Sequence, residues 1–493
     1  IFHYICSLNI HTDNRHMNNL KELTERELFK RLEVDNPWWR NRTVPKDYVD
    51  MAPRPFIDVL YPSVVNLKVH RAPILMGPRR VGKTVMLYHV IDRLINSGID
   101  PEKIFYFSLD TPIYGNIGLE RLFNYARENR NLELETEGFF VFFDEIQYLK
   151  DWEQHLKSLV DTYRHCKFIA SGSAAAALKM KSSESGAGRF SDFKLPPLTF
   201  AEFLKLKGLD GSIARKTDLP WGKYDTTDIV SLNHHFIDYI NYGGYPEVAF
   251  SDEIRAHTDA YVKNDIVEKV LMRDLPSLYG VSDTQELNRF FAHLAFRSGD
   301  EVSYQSLSTD TGIRKETIKK YLEYLEAAFL IKVLNRIDCN AQRMQRVTTF
   351  KVYLTNPILR SALFSPIEET DDAFGSIVET ALVAQWLQGD ENNFYYANWN
   401  KGREKGEVDM VWTNPATQQA SFATEVKWTD RFVYDPSGLK SLGTFLAQNK
   451  HIDKTLVTSK TQWGECSIGG ELVVFIPAAL YAYNVSRLLA ENK

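Results

Sequence analysis

Eight consecutive residues, Gly77-Pro78-Arg79-Arg80-Val81-Gly82-Lys83-Thr84, carry the most readable chemistry of this chain. They fit G-x-x-x-x-G-K-[ST] at every fixed position. The spacing suits a phosphate chain. Backbone N–H groups must point inward at the phosphates, and side chains at Gly77 and Gly82 would obstruct that approach. Lys83 would reach the β- and γ-phosphates, and the Thr84 hydroxyl would ligate Mg²⁺. The flanks agree. Ile74, Leu75 and Met76 read as a short buried strand, and Val85 to Ile95 has helical spacing of apolar residues. A helix opening near Lys83 adds free N–H groups and a positive dipole end. The expected nucleotide-binding residues are therefore Gly77, Pro78, Arg79, Arg80, Val81, Gly82, Lys83, Thr84 and Val85, with ATP and Mg²⁺ as cofactors.

A second signature follows about 60 residues later, as such a site requires. Residues 138–147, GFFVFFDEIQ, are an apolar strand running into Asp144-Glu145. Asp144 at the strand end would hold Mg²⁺ through water, and Glu145 would polarise the attacking water. Lys167 to Ala170 is another short apolar strand, ending at Ser171-Gly172-Ser173. A loop over Ser182 to Phe190 contains Arg189 among small residues.

Ile74–Thr84, Phe142–Gln147, Ser171–Ser173, Gly188-Arg189, Leu195–Leu204 and Tyr242–Val248 together resemble a prokaryotic family of AAA-type ATPases. Its members pair the ATPase with a C-terminal domain of undefined function. The resemblance implies that a polar residue at the third strand end, Ser171 or Ser173, senses the γ-phosphate. Arg189 reads either as an arginine finger for a neighbouring subunit's nucleotide or as an ordinary surface arginine.

A third constellation lies near the C-terminus. Phe374 to Leu387 reads as a helix carrying Glu379, and Phe394 to Ala397 as a strand. Gly406 to Trp412 is a strand with Asp409 between apolar neighbours, and Phe422 to Trp428 a strand with Glu425-Val426-Lys427. In a strand, residues two apart share a face, so Glu425 and Lys427 point together. This order of elements resembles the PD-(D/E)xK nuclease fold. The resemblance implies a divalent metal on Glu379, Asp409 and Glu425, with Lys427 orienting water and stabilising charge on phosphate. The alternative is a salt-bridge network in a degenerate nuclease fold. One departure stands out: Thr349 to Leu354, expected to open this domain, runs into Thr355-Asn356-Pro357, where an acidic residue is common.

The elements that must position these groups follow. Strands alternating with helices over 51–205 imply a parallel sheet covered on both faces. Residues 206–280 read as a helical lid or connector, with a polar loop at Lys207 to Asp228. Residues 281–340 read as a winged helix-turn-helix. Its third helix, Lys315 to Ala328, has Ile318, Tyr321, Leu322 and Leu325 on its apolar stripe and Arg314, Lys315, Lys319 and Lys320 on the other face. Glu316 and Glu323 dilute that charge, leaving DNA contact and protein contact as alternatives. The fold class is α/β: a P-loop NTPase sheet, a helical and winged-helix module, and a restriction-endonuclease-like domain over 341–493.

Composition constrains the rest. The 493 residues call for about three domains. A net charge of −5 shows no global basic surface, so nucleic-acid contact must be local. The four cysteines contain no C-x-x-C pair, which fits a reducing cytoplasm. No apolar run approaches the ~18 residues a membrane span needs. Residues 1–50 are read as an N-terminal extension, with 1–16 preceding the natural start. The expected partners are DNA and either a protein or a second copy of the chain.

Overall fold

A computed structural model describes residues 25–491 except 116, 134–137, 173–187, 216–221, 343–347, 388–392, 402–403 and 451. It divides into two compact units. One comprises the described residues up to 76, 83–172 and 188–193; the other comprises 77–82 and 194–491.

The first unit is built on five strands: β1 (Ala72–Met76), β2 (Ile104–Ser108), β3 (Phe140–Asp144), β4 (Lys167–Gly172) and β5 (Phe190–Lys194). Their order is β2-β3-β4-β1-β5. The β2–β3, β3–β4 and β4–β1 pairings are parallel. Every residue of β1, β3 and β4 is buried, as the continuous apolar runs require when helices cover both faces. Helices Lys83–Asn96, Leu119–Asn129 and Trp152–Thr162 supply amphipathic cover.

Strand β2 ends the sheet, and an open edge is a liability. Here it is closed by the N-terminal segment. Asn36 donates to Tyr106 O at 2.9 Å and accepts from Tyr106 N at 2.6 Å. The indoles of Trp38 and Trp39 both donate to Ile104 O at 2.9 Å. Residues 25–35 are helical. Strand β5 lies between what read as a loop and as core-closing sequence; after buried Phe190 its half-buried and exposed residues alternate, so it lacks the solid apolar run that marked the other strands.

The second unit carries β6 (Ile213–Arg215) and β7 (Tyr224–Thr226), an antiparallel pair in a stretch that read as a polar loop. Helix Phe200–Leu206 starts at a capping box between Thr199 and Glu202. The remaining strands are β8 (Glu301–Val302), β9 (Ile331–Ile337), β10 (Phe350–Leu354), β11 (Phe394–Lys401), β12 (Glu404–Thr413), β13 (Ala420–Glu425), β14 (Lys454–Ser459), β15 (Gly464–Ile468) and β16 (Glu471–Pro477). They form one sheet in the order β15-β16-β14-β13-β12-β11-β9-β10-β8.

The expected boundary at 340/341 falls between two strands of this one sheet. Strand β10, expected to open the last domain, pairs antiparallel with β9 from Phe350↔Asn335 to Leu354↔Ile331, and with β8. Strand β9 in turn runs parallel to β11, so the boundary falls inside a hairpin of a shared sheet. Helices Thr284–Phe296, Tyr304–Thr311 and Lys315–Ala327 accompany β8–β10. Ser303 caps the second, and Gly312 ends it at φ 76°, a left-handed conformation that glycine adopts without strain. The third buries Ile318, Tyr321, Leu322 and Leu325. On one side of the large sheet, helices Phe374–Trp386 and Ala478–Glu491 contribute to a core with Phe200, Phe203 and Tyr239. A second core surrounds Leu442, Phe445 and Leu446 of helix Lys440–Gln448.

Candidate functional site

In the first unit, β4 lies between the strand leading to the glycine loop and the strand ending in Asp144. The ends of three neighbouring strands therefore meet. Asp144 is buried, and its carboxylate is fully engaged. Thr84 Oγ1 donates to Oδ2 at 2.6 Å, and Tyr106 OH donates to the same oxygen at 2.7 Å. The Ser171 hydroxyl donates to Oδ1, as does the Glu145 N–H at 3.1 Å. Burial, then the neighbouring Glu145 charge, pushes the Asp144 carboxyl above its usual range, while hydrogen bonds from Ser171, Thr84 and Tyr106 pull it back. Thr84 and Asp144 thus present hard oxygen donors side by side, a donor set that suits Mg²⁺.

Glu145 has φ 54° and ψ 47°. A non-glycine residue in this region costs on the order of 1 kcal/mol or more, and such residues cluster at working sites. Its N–H is fixed by Asp144 and also faces Ser171 Oγ at 3.2 Å. Its carboxylate accepts from the Gln147 amide. Lys83 opens its helix and is 4 % exposed.

The glycines of the loop are required for different reasons. A Cβ on Gly77 would sit 2.2 Å from the Leu195 carbonyl oxygen, so no side chain fits. Gly82 has φ 91°, which disfavours any other residue. Arg79 and Arg80 do not present free cations to a phosphate chain. Arg79 makes a two-point pair with Asp274 at 2.6 and 2.7 Å, and Arg80 pairs with Glu247 at 3.2 Å. What Pro78, Arg79, Arg80 and Val81 offer a nucleotide is therefore backbone. Val85 follows Thr84 in the helix.

The strand-end serine beside Asp144 is Ser171; Ser173 and loop residues 182–187 lie outside the described residues. Arg189 is held by Asp161. Its carbonyl accepts from the N–H of Ala72, the first residue of β1, so it lies at the far end of that strand from Thr84. The structure does not bring it to its own chain's site. Tyr106 was not foreseen, because a tyrosine in an aromatic strand reads as core.

The C-terminal residues do converge, though not as three carboxylates around a metal. Lys351, from β10, has Nζ 3.0 Å from Glu379, 2.6 Å from Glu407 and 4.0 Å from Asp409. Lys427 has Nζ 2.8 Å from Glu425 and 3.8 Å from Asp409. Tyr353 OH donates to Glu379 at 2.5 Å, and Asp409 accepts from the Val426 N–H at 2.7 Å. Among the described residues no three histidine, cysteine or carboxylate side chains are disposed to hold a metal ion. The ammonium groups of Lys351 and Lys427 stand among Glu379, Asp409 and Glu425, the residues expected to hold a metal. Burial, then the Asp409 charge, pushes Glu379 up to about 7 and Glu425 up to about 8. Burial opposes the charge on both lysines, yet the surrounding groups hold each above the usual lysine value. Lys351, Tyr353 and Glu407 were missed. Their signal was alternation: Lys351 and Tyr353 share one face of β10, as Glu407 and Asp409 share one face of β12.

The second unit also presents Arg314, Lys315, Lys319 and Lys320, all exposed, on and before helix Lys315–Ala327. Lys319 lies over the Tyr304 ring at 5.2 Å. Among the described residues no helix is long and apolar enough to cross a membrane.

Comparison with known proteins agrees with the first unit. Residues 69–204 match the AAA domain family, and residues 233–370 match a domain of unknown function (DUF8612). An uncharacterized protein of Haemophilus influenzae is 27% identical over 59% of this chain and 68% of its own length. One from Methanocaldococcus jannaschii is 26% identical over 70% of this chain and 73% of its own. Among solved structures, a Walker-type ATPase of Pyrococcus abyssi superposes with a TM-score of 0.38 at 14% identity, covering 66% of this chain and 97% of that one. The glycine loop and the strand-end acid and serine all lie within the matched stretch, and residues 69–204 form an AAA-type P-loop ATPase domain.

Proposed function

We propose that this chain binds and hydrolyses Mg²⁺-ATP at Gly77–Thr84 and that the cycle gates an action on DNA. The observation that carries the ATPase half is the joint engagement of Asp144 by Thr84 and Ser171. A metal oxygen site, a strand-end sensor and the adjoining Glu145 lie within a few ångströms of one another. Backbone N–H groups of the loop and Lys83 hold the phosphates. Thr84 and Asp144 would hold Mg²⁺, which when bound neutralises charge on the β- and γ-phosphates. Glu145 orients a water for attack on the γ-phosphorus and accepts its proton as ADP departs. Ser171 fixes Asp144 and faces the Glu145 N–H, so it links the metal side of the site to the base. Arg189, paired with Asp161 within the chain, would have to leave that carboxylate to serve a second copy's nucleotide. Lys83→Ala tests this half: ATP binding is expected to fall by at least ~100-fold, and unchanged binding would remove the assignment.

The DNA half is supported by the order of helices and strands over 284–354, which resembles that of a winged helix-turn-helix, and by its exposed cations. The following strands and helices support a nuclease-like fold. A second reading, DNA binding without cleavage, is favoured by one observation: Lys351 and Lys427 already occupy the carboxylate cluster.

A further inference from the structure

One cavity of the second unit belongs to none of the sites above. It encloses about 510 Å³, a volume typical of small-molecule pockets. Trp386, Trp412, Phe422, Leu456 and Tyr481 give it an apolar, largely aromatic wall. The ring centres of Trp386 and Trp412 lie 4.3 Å apart, and those of Trp412 and Phe422 5.0 Å apart. The polar groups of the wall are already engaged. Tyr481 OH accepts from the Trp386 indole at 3.1 Å and lies 3.3 Å from the Thr424 hydroxyl. Asn484 exchanges two hydrogen bonds with the backbone of Tyr224. Glu491, exposed at the rim, accepts from the Tyr224 hydroxyl and pairs with Lys223.

Lys454 is the exception. It stands at the start of β14, beside Phe422 of β13 in the parallel register. Leu456 is two residues on, so both side chains leave the same face of the strand, and both line the cavity. Lys454 is half-buried. Among the described residues nothing hydrogen-bonds or pairs with its ammonium, and burial alone pushes it below the usual lysine value. Withdrawing an ammonium from water without supplying an anion is costly.

We propose that this cavity binds a small aromatic monocarboxylate, its ring against the tryptophans and its carboxylate on the Lys454 ammonium. Charge sets the class. Glu491 already matches Lys223, so Lys454 leaves one positive charge, which one carboxylate balances. A phosphate dianion would add a second negative charge near Glu491, and like charges brought together oppose binding. The wall sets the body of the ligand. With Tyr481 and Asn484 engaged, polar groups on that body would lose water without gaining partners, whereas a flat apolar ring gains the aromatic surface. Binding here needs neither the nucleotide nor the carboxylate cluster around Lys351.

The test is calorimetric titration of the full chain with 2-naphthoate and with its neutral isostere 2-naphthamide at neutral pH. The parent should bind the carboxylate at least ~10-fold more tightly than the amide. Lys454→Met should erase that preference while still binding the amide. Equal affinities in the parent, no binding of either compound, or a preference that survives in Lys454→Met overturns the proposal. If Lys454→Met does not fold, the parent decides by lysine acylation and peptide mass spectrometry. Saturating 2-naphthoate should slow acylation of Lys454 at least ~10-fold and leave exposed Lys315 and Lys320 reacting as before. Acylation of Lys454 at an unchanged rate overturns the proposal.

Discussion

Glu425 shows how one residue ties stability to pH. Its carboxyl is buried, faces the Asp409 charge, and is pushed from an ordinary 4.5 up to about 8. The folded chain therefore holds this proton more tightly than the unfolded chain does. That stabilisation is complete below pH 4.5, shrinks as pH rises, and is lost by about pH 8. Glu425→Gln mimics the protonated form at every pH. The variant should therefore gain on the parent by roughly 1–3 kcal/mol between pH 5 and pH 8, measured by denaturant unfolding. A constant difference across that range would show that Glu425 is ionised throughout. At the nucleotide site the same forces act differently. Asp144 is buried more deeply, but three side-chain hydroxyls donate to it, which suits a carboxylate that must remain available to a metal.

At the scale of elements, the closing of the β2 edge gives a direct test. Asn36 is fully buried and exchanges two hydrogen bonds with the backbone of Tyr106. Asn36→Ala leaves that N–H and that carbonyl unpaired beside the site strand, at a cost of about 1–3 kcal/mol in unfolding free energy. A loss below ~0.5 kcal/mol would mean that water replaces the side chain there. Strands β1, β3 and β4 were legible in the sequence because each is an apolar run ending in chemistry or a turn. Strand β5 was not, because it alternates and follows a small-residue stretch. Strand β10 was legible as a strand but not in its pairing, since Phe350 to Leu354 says nothing of which neighbour it joins. Strands β15 and β16 and helix Ala478–Glu491 carry no motif and were passed over, although the helix helps to build the larger core. Lys351 was hidden for the same reason. A lysine in a strand reads as an exposed charge until the strand is placed beside Glu379 and Glu407.

At the scale of the whole chain, the proposed function couples an ATPase cycle to DNA contact. Arg314, Lys315, Lys319 and Lys320 are exposed on and before one helix. Replacing all four with alanine should weaken binding to duplex DNA and reduce the magnitude of the log–log salt slope by roughly 3 to 4. Lys83 lies in the other compact unit, so Lys83→Ala should leave that slope unchanged. An unaltered slope in the quadruple variant would assign this helix to protein contact. In the proposed cycle Glu145 activates water for attack on ATP held by the glycine loop. It is tested most directly by single-turnover hydrolysis of Mg²⁺-ATP by the parent and by Glu145→Gln. The variant should still bind ATP but hydrolyse it ~100-fold or more slowly. Hydrolysis at the parent rate would contradict it.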